Sequence, residues 1–457
     1  MRAPSIVFAL GLLGCTSSPP AAAPSSASPP ATTATAFASP DEKVVTATPT
    51  AKCTFADAAA CEADCSKGVM TACTTLGRMY EDGKGVGRDP AQAAAMYKKA
   101  CDAKVPAGCV NYAFLLEHGI GVTRDEKAAV AMFHAACDGG DSYGCARLGE
   151  VYEFGIGGTT KDANKATALY QKACDGKDPW GCTHLGAMYE YGRGGVAEDE
   201  KKALALYTEG CDKKAAWSCT HLGAMHEYGK GGLAKDLPKA MGYYQAACDD
   251  GDGHACVHLG EIYAWGRPGV TKDEGKALKL VKEACDRKYA FGCEELGVLY
   301  QYGIGVPKDD AKAFSLWKEA CDAHDMDGCV RLGNAYEQGI GTVVDVAKAI
   351  TLYEDFCQTK FLLACVHLGR LYETGKVPGS GKDFKKAVDY YQQGCDHKIV
   401  AGCFELAKIY AKGGNGVTKD EKKSEDYLHT SCDAGYKLAC DELANKKVAP
   451  AGKTKAK

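Results

Sequence analysis

A short apolar pattern, Leu-Gly-x-x-Tyr, recurs along most of the chain at intervals of about 36 to 38 residues. Its Leu and Tyr are four residues apart and therefore lie on one face of a helix. The glycine between them lets a neighbouring helix approach closely. The pattern predicts the first helix of each repeat, which we call helix A. Seven copies carry it in full: Leu76–Tyr80, Leu148–Tyr152, Leu185–Tyr189, Leu259–Tyr263, Leu296–Tyr300, Leu332–Tyr336 and Leu368–Tyr372. Three copies deviate, with Tyr112-Ala113 and Leu116 in the second, His226 in the fifth and Ala407 in the tenth.

A second helix, helix B, is predicted after each copy of this motif. A glycine suited to a left-handed C-cap comes first, and an aspartate suited to an N-cap follows. Alanine stands four residues after the aspartate (Ser424 in the last copy), and a large apolar residue stands four further on, so the two form a core stripe. The glycines are Gly83, Gly119, Gly155, Gly192, Gly229, Gly266, Gly303, Gly339, Gly375 and Gly413. The aspartates are Asp89, Asp125, Asp162, Asp199, Asp236, Asp273, Asp309, Asp345, Asp383 and Asp420. The large apolar residues are Tyr97, Phe133, Tyr170, Tyr207, Tyr244, Val281, Trp317, Tyr353, Tyr391 and Leu428.

The cysteines follow the same repeat. The chain has 25, and after Cys15 every one falls into a pair eight residues apart. The pairs are Cys53 with Cys61, Cys65 with Cys73, Cys101 with Cys109, Cys137 with Cys145, Cys174 with Cys182, Cys211 with Cys219, Cys248 with Cys256, Cys285 with Cys293, Cys321 with Cys329, Cys357 with Cys365, Cys395 with Cys403 and Cys432 with Cys440. Zinc sites favour shorter gaps and mixed Cys/His sets, so we expect structural disulfides and no metal. Each would stabilise the fold by about 2.5 kcal/mol. The first two pairs could exchange partners, and local pairing is the simplest choice.

The N-terminus predicts export. Arg2 precedes an apolar run, Ser5–Leu13, that is too short to span a bilayer. The run ends in Leu12–Cys15, which resembles the lipobox of bacterial lipoproteins. That resemblance implies cleavage before Cys15 and lipidation of this unpaired cysteine; an ordinary signal peptide with a chance cysteine is the alternative. Thr16 in place of an aspartate favours the outer membrane. Paired cysteines also fit an oxidising compartment.

Leu-Gly-x-x-Tyr, Gly-x-Gly, Asp-x-x-Lys-Ala and Ala-Cys together resemble the Sel-one-like repeat family, a relative of the tetratricopeptide repeat. The Cys-x7-Cys spacing is similar to the secreted, cysteine-rich bacterial members, called Hcp-type. The resemblance implies an all-α, right-handed superhelical solenoid of antiparallel helix pairs, with one disulfide per repeat and helix A on the concave face. The expected organisation is a signal peptide at 1–14, a lipidated, Ser/Pro/Ala/Thr-rich linker at 15–52, an N-terminal cap half-repeat at 53–73, ten repeats at 74–439, a C-terminal cap helix at 440–447 and a disordered basic tail at 448–457.

Few residues suggest catalysis. Some Hcp-type proteins are described as penicillin-binding proteins or weak β-lactamases, which makes a β-lactam or wall-fragment hydrolase the alternative function. Ser315 and Lys318 match a Ser-x-x-Lys element, but the Ser-Asp-Asn and Lys-Thr-Gly elements are absent from the sequence. Trp317 between them takes the core position of helix B, so we interpret the match as chance. No cofactor motif is present, and a net charge of −4 argues against nucleic acid as a partner.

One variable position on helix A, two residues after the second cysteine, carries a histidine in four copies. These are His184, His221, His258 and His367. We expect this position to face the surface, where the histidines form a polar ladder that contacts a peptide or glycan or are neutral choices. Successive helices are too far apart for two of them to share a zinc ion easily. Trp180 and Trp217 lie in the stapled turns, and we favour packing on the disulfide over an exposed contact.

The sequence therefore predicts a lipid-anchored scaffold or adaptor of the bacterial envelope without catalytic activity. Its partner would be a protein, a peptide or a cell-wall component, bound along the curved surface of the repeats. A secreted protein that engages a host partner is a third possibility, which a lipid anchor disfavours. The functional part of this prediction rests on analogy with other helical-repeat scaffolds.

Overall fold

Twenty-two α-helices run through residues 53–358 and 361–448, the part of the chain that the structure, a computed structural model, describes. These residues contain no β-strand beyond isolated bridges.

The chain divides into two compact units, the first ending at Ala255 and the second beginning at Cys256. The first unit contains α1 (Ala58–Ser66), α2 (Met70–Asp82), α3 (Pro90–Asp102), α4 (Pro106–His118), α5 (Glu126–Asp138), α6 (Ser142–Phe154), α7 (Ala163–Asp175), α8 (Pro179–Tyr191), α9 (Glu200–Asp212), α10 (Ala216–Tyr228) and α11 (Leu237–Asp249). Helix α12 (Gly253–Trp265) includes the division between them. The second unit continues with α13 (Glu274–Asp286), α14 (Ala290–Tyr302), α15 (Asp310–Asp322), α16 (Met326–Gln338), α17 (Val346–Gln358), α18 (Leu362–Thr374), α19 (Phe384–Asp396), α20 (Val400–Lys412), α21 (Glu421–Asp433) and α22 (Lys437–Val448).

Even-numbered helices from α2 to α20 are the A helices, and the odd-numbered helix after each is its B helix. In all ten copies the predicted aspartate caps helix B; Asp199 Oδ1, for example, accepts from the Lys202 amide at 3.0 Å. Eight of the predicted C-cap glycines have left-handed geometry, and Gly266 also has positive φ. Gly413 departs from the others, with φ 71° and ψ 175°.

Helix A begins earlier than the Leu-Gly-x-x-Tyr motif suggests. Helix α2 starts at Met70, so Cys73 lies inside its first turn, while Cys101 lies in the last turn of α3. Within each unit, the staples from Cys101–Cys109 to Cys395–Cys403 therefore join the end of one helix B to the start of the next helix A, whereas Cys53–Cys61 joins the segment before α1 to α1 itself. The length of that turn is fixed on both sides by helical geometry, which is why insertions fall in the A–B loop.

The core lies between helix A and helix B of each repeat. Every predicted alanine and large apolar residue of helix B is buried, as is Ser424. The motif glycine of helix A is where the large residue packs: a Cβ at Gly186 would come within 2.8 Å of the Tyr207 ring, and one at Gly149 within 2.5 Å of the Tyr170 ring. Alanine replaces this glycine in the tenth copy, and the facing residue there is the smaller Leu428.

Eleven of the predicted cysteine pairs form disulfides within one unit, and all eleven join residues eight apart. They are Cys53 with Cys61, Cys65 with Cys73, Cys101 with Cys109, Cys137 with Cys145, Cys174 with Cys182, Cys211 with Cys219, Cys285 with Cys293, Cys321 with Cys329, Cys357 with Cys365, Cys395 with Cys403 and Cys432 with Cys440. The first two pairs are local, with no exchange among their four cysteines. Cys248 and Cys256 lie on either side of the division between the units. The predicted all-α solenoid of antiparallel helix pairs with one staple per repeat is confirmed.

The stapled turn contains one residue with left-handed backbone, three positions after the first cysteine. Among the described residues, glycine takes this position in some copies, such as Gly140 (φ 88°), and a non-glycine residue takes it with positive φ in six. These six are Lys104, Lys177, Lys214, Lys288, His324 and Lys398. A side chain at positive φ costs roughly 1–2 kcal/mol, so these turns carry local strain that the staple helps to hold.

Short helices lie at both ends of the described chain. Helix α1 precedes the first helix A, and α22 follows the last helix B, where Ala439 and Leu443 are buried against Leu428. Helix α22 begins at Lys437, three residues before the cap helix predicted to start at Cys440, because the last staple lies inside its first turn like the others.

Among the described residues, no helix is both long and apolar enough to cross a bilayer. The predicted signal peptide, Cys15, the linker and the predicted tail from residue 449 onwards lie outside the described residues.

Candidate functional site

A buried hydrogen bond between helix B and helix A recurs in five repeats. The hydroxyl of Tyr207 donates to Glu190 Oε2 at 2.9 Å, and this glutamate directly follows the tyrosine of the helix A motif. The other pairs are Tyr97–Glu81, Tyr170–Glu153, Tyr244–Glu227 and Tyr391–Glu373. The bond places one carboxylate per repeat on the side of helix A that faces the neighbouring repeat.

The two residues of this pair change together along the chain. Where helix B has Val281, Trp317 or Leu428 in place of tyrosine, the glutamate is replaced by alanine or glutamine. The replacements are Ala264, Gln301 and Ala411. The second copy is an exception, because Phe133 cannot donate and Glu117 instead pairs with Arg147 of the next helix A at 2.7 Å. At this position of helix A, the carboxylate is retained only where a donor reaches it, as its desolvation requires.

The histidines of the variable helix A position stack on these tyrosines. The ring of His184 lies 4.7 Å from Tyr170, and the ring of His221 lies 4.6 Å from Tyr207, each tyrosine belonging to the preceding repeat. His184 is only 7% exposed, so the prediction of a surface position is wrong for it. His221, His258 and His367 are half-buried. The position faces the joint between repeats, where stacking on a tyrosine removes much of the ring from water.

A charged network surrounds His184 in the first unit. The guanidinium of Arg147 lies between Glu117 and Glu150, and Glu150 also accepts from Trp180 Nε1 at 2.9 Å. His184 Nε2 lies 3.1 Å from the same carboxylate. Burial alone would raise the pKa of Glu150, but Arg147 and His184 outweigh it and hold the pKa at about 2. Glu150 is thus a fixed negative charge with its partners in place.

The same arrangement continues one repeat further on. His221 Nδ1 lies 3.6 Å from Glu190, and Lys230 Nζ lies 2.9 Å from the other oxygen of that carboxylate. These two groups offset the effect of burial and lower the pKa of Glu190 to about 2.

Four rings form a continuous cluster on helices α8 and α10, which contact each other. We call Trp180, His184, Trp217 and His221 the aromatic cluster. The two indoles are 5.5 Å apart, His184 lies 5.1 Å from Trp180 and 5.0 Å from Trp217, and His221 lies 4.9 Å from Trp217. Both indoles are half-buried. Each packs on histidine and keeps part of its ring open to solvent. Packing of these indoles on the disulfide stays a prediction.

The second unit fills the same positions with other residues. Glu295 and Arg331 stand where the first unit has His184 and His221, and Arg331 pairs with the buried Glu294. His367 stacks 5.0 Å from Tyr353, and burial together with Arg370 lowers the pKa of His367 to about 4. The ring at this site is neutral at ordinary pH.

Arg370 and Lys376 also hold Glu337, at 3.1 and 2.9 Å. In five other repeats, the glutamate at the position of Glu337 accepts a hydrogen bond from the tyrosine of helix B. Here the Tyr353 hydroxyl has no hydrogen-bond partner among the described residues.

A sequence profile of the Sel1 repeat matches ten consecutive segments of the chain. They span residues 71–105, 106–141, 142–178, 181–214, 218–252, 253–289, 290–325, 327–355, 362–398 and 400–436. The chain belongs to the Sel1 repeat family. This confirms the resemblance seen in the sequence motifs, and proteins built from Sel1 repeats commonly serve as scaffolds for protein interactions.

Solved structures of other Sel1 repeat proteins resemble this one. A protective antigen of uropathogenic Escherichia coli with an SLR fold is 26% identical over 86% of this chain and 83% of that chain, with a TM-score of 0.44. The cysteine-rich protein B of Helicobacter pylori is 31% identical over 29% of this chain and 93% of its own, with a TM-score of 0.24. A Sel1 repeat protein of Oxalobacter formigenes is 24% identical over 47% and 84%, with a TM-score of 0.42. No curated protein matches the sequence.

The serine singled out in the sequence lies on a B helix of a Sel1 repeat in the second unit. Ser315 is exposed on α15, and Lys318 pairs with Asp322 at 2.7 Å. Trp317 is buried, as predicted, and its Nε1 donates to the Glu294 carbonyl at 3.1 Å. Lys318 is therefore engaged by an acid one turn along its own helix.

The fourth residue of every even-numbered helix is the second cysteine of a predicted pair. Six examples are Cys109 on α4, Cys145 on α6, Cys329 on α16, Cys365 on α18, Cys403 on α20 and Cys440 on α22. Each sulfur is bonded to the cysteine eight residues earlier. These cysteines hold the turns between repeats, and they are not part of the aromatic cluster.

Potential metal ligands converge at two places in the described residues. Each place combines one staple with one glutamate: Cys174, Cys182 and Glu209, and Cys285, Cys293 and Glu319. The sulfurs in both are already joined to each other, and zinc binds thiolates, so oxidation removes their capacity as ligands. None of the four histidines belongs to either group.

Proposed function

We propose that this Sel1 repeat protein is a scaffold or adaptor of the bacterial cell envelope that binds a protein or peptide through its A helices. The aromatic cluster is the observation that supports this most. Tryptophan is enriched among the residues that dominate binding energy at interfaces, because one ring buries a large area at little conformational cost. Two half-buried indoles side by side offer such an anchor.

The network beneath the cluster keeps it in place. Trp180 is fixed by its hydrogen bond to Glu150, and both histidines stack on buried tyrosines. A partner would then meet rings that are already ordered, which lowers the entropy cost of binding. A cell-wall fragment is the other partner considered in the sequence, and its sugars would stack on the same indoles.

The staples support export to an oxidising compartment, since disulfides persist there and are reduced in the cytosol. Within the same proposal, lipidation of Cys15 anchors the protein in the outer membrane, and the linker at 15–52 separates the repeats from the bilayer. A scaffold of this kind has no catalytic group, and the protein would act by holding its partner at the membrane.

The test is the affinity of a defined partner. Proteins captured from crosslinked envelopes would be purified one at a time and titrated by calorimetry against the wild type and single variants. Trp180→Ala and Trp217→Ala should each weaken binding at least tenfold, as loss of a central tryptophan does at other interfaces. Trp265→Ala is the matched control, because this indole is 52% exposed and lies outside the cluster. Equal affinity for all three variants would refute the proposed surface.

A further inference from the structure

Glu295 on α14 differs from the other members of its series. It stands at the position that holds His258 on the A helix before it and Arg331 on the A helix after it. It is only 4% exposed, and within the described chain no hydrogen bond or ion pair reaches its carboxylate. An ionised carboxylate in such a place lacks the partner that burial of a charge ordinarily requires.

The groups around Glu295 add to its negative charge. Burial is the largest cause of its strongly raised pKa, Glu261 on α12 and the neighbouring Glu294 raise it further, and Arg331 lowers it. Arg331 is the facing base, but its guanidinium is bound to Glu294. His258 lies 3.4 Å from Glu261, on the same helix. In the first unit, by contrast, Arg147, His184 and Trp180 together satisfy Glu150. The second unit leaves one buried acid without such a partner.

We propose that the acidic cluster of Glu261, Glu294 and Glu295 receives a lysine or arginine side chain from a peptide partner. A cation beside the half-buried Glu261 would supply positive charge to the cluster and would convert the unpartnered Glu295 carboxylate into an ion pair. Phe291 lies one turn before Glu295 on α14 and is half-buried, so it offers an apolar wall for the methylene stem of such a side chain.

The geometry favours an organic cation over a metal ion. These glutamates are not among the groups of potential ligands whose atoms converge within 4.8 Å in the described residues. A metal needs several oxygens at close range at once, whereas an ammonium or guanidinium group can reach separated carboxylates in turn. The inference rests on the proposed function in one respect, namely that A helices bind a peptide.

The probe for this site is fluorescently labelled hexalysine, added to the full mature protein with its disulfides intact. Fluorescence anisotropy should show saturable binding at low salt, which Glu295→Gln and Glu261→Gln each weaken about tenfold. Hexalysine acetylated on every side chain should not bind. Glu283→Gln is the matched control, because this glutamate is half-buried on a B helix and already pairs with Arg287.

Thermal unfolding adds a readout that separates binding from structure. Glu295→Gln should keep the melting temperature of the wild type while it weakens the probe, because the amide has nearly the same volume as the carboxyl group and no hydrogen bond or ion pair of Glu295 is lost. Trp217→Ala should leave hexalysine affinity unchanged, so this test and that of the aromatic cluster can fail separately. The proposal is overturned if Glu295→Gln binds the probe like the wild type, or if Glu283→Gln weakens it to the same extent.

Discussion

Tyr207 donates a 2.9 Å hydrogen bond to Glu190, and both residues are buried. This bond joins the two helices of a repeat at the point where the next repeat packs, because His221 stacks on the same tyrosine. The pair therefore connects core packing to the surface that we propose for binding.

Loss of this hydroxyl should destabilise the protein. Tyr207→Phe is expected to lower the free energy of unfolding by about 1 kcal/mol, since Glu190 loses a buried donor but keeps Lys230. Urea titration measures the change. Tyr353→Phe is the matched control and should be neutral or slightly stabilising, because the Tyr353 hydroxyl has no partner among the described residues. Equal losses in the two variants would mean that the hydrogen bond contributes nothing specific.

Acid should weaken the fold partly through Glu190. Its pKa is about 2 in the folded protein, below the ordinary value of 4.5. A lowered carboxyl pKa contributes stability above pH 4.5, and that contribution is lost as the pH falls towards about 2. The free energy of unfolding, measured across this range, should fall less steeply in Glu190→Gln than in the wild type. Glu198→Gln, an exposed control in an A–B loop, should keep the wild-type slope.

At Gly210 and Ser218, the smaller residue lies on helix B and the larger one before the second cysteine, the reverse of the order in several other repeats. Five copies have an alanine in helix B facing a glycine just before the second cysteine, as in Ala173 and Gly181, where a Cβ on the glycine would come within 2.4 Å of the alanine. Here a Cβ on Gly210 would lie 2.1 Å from Ser218 Oγ. Gly210→Ala should therefore cost roughly 1–3 kcal/mol.

Adding Ser218→Gly should restore most of that loss, because the double variant recreates the pair found in other copies. A double-mutant cycle by urea unfolding gives the coupling energy. Additive losses would show that the two positions do not pack against each other.

Strain in a stapled turn predicts a stabilising change. Lys104 is exposed and has φ 62°, so Lys104→Gly should raise the free energy of unfolding by about 0.5–1 kcal/mol. Ala103, its neighbour, has φ −85° and serves as the control. Ala103→Gly should be destabilising, since glycine brings only added flexibility there. A loss of stability in both variants would contradict the inference that the backbone at Lys104 is strained.

The fold could be predicted because its signals are local. Asp199 caps a helix through amides within three residues, and Cys211 pairs with a cysteine eight residues away. The burial of His184 could not be predicted in the same way, because it depends on how closely one repeat approaches the next. The place of His184 in the repeat motif does not reveal that the tyrosine of the preceding helix B covers its ring.

Some contacts between helices did leave a signal in the sequence that the motif analysis missed. The glutamate after the helix A motif is present in every copy whose helix B has tyrosine. Three of the four copies without that tyrosine have Ala264, Gln301 or Ala411 instead, and Glu117 of the second copy is the exception. Gly210 and Ser218 show the same kind of compensation. Comparing repeats position by position, as if they were separate sequences, would have identified both pairs.

Oxidative footprinting of the three tryptophans tests the binding account most directly. Hydroxyl radicals would be applied to the free protein and to its complex with a purified partner, and oxidation of Trp180, Trp217 and Trp265 would be quantified by mass spectrometry. The account predicts that Trp180 and Trp217 become protected in the complex while the exposed Trp265 is oxidised as before. Unchanged oxidation of Trp180 and Trp217 in a saturated complex would contradict it.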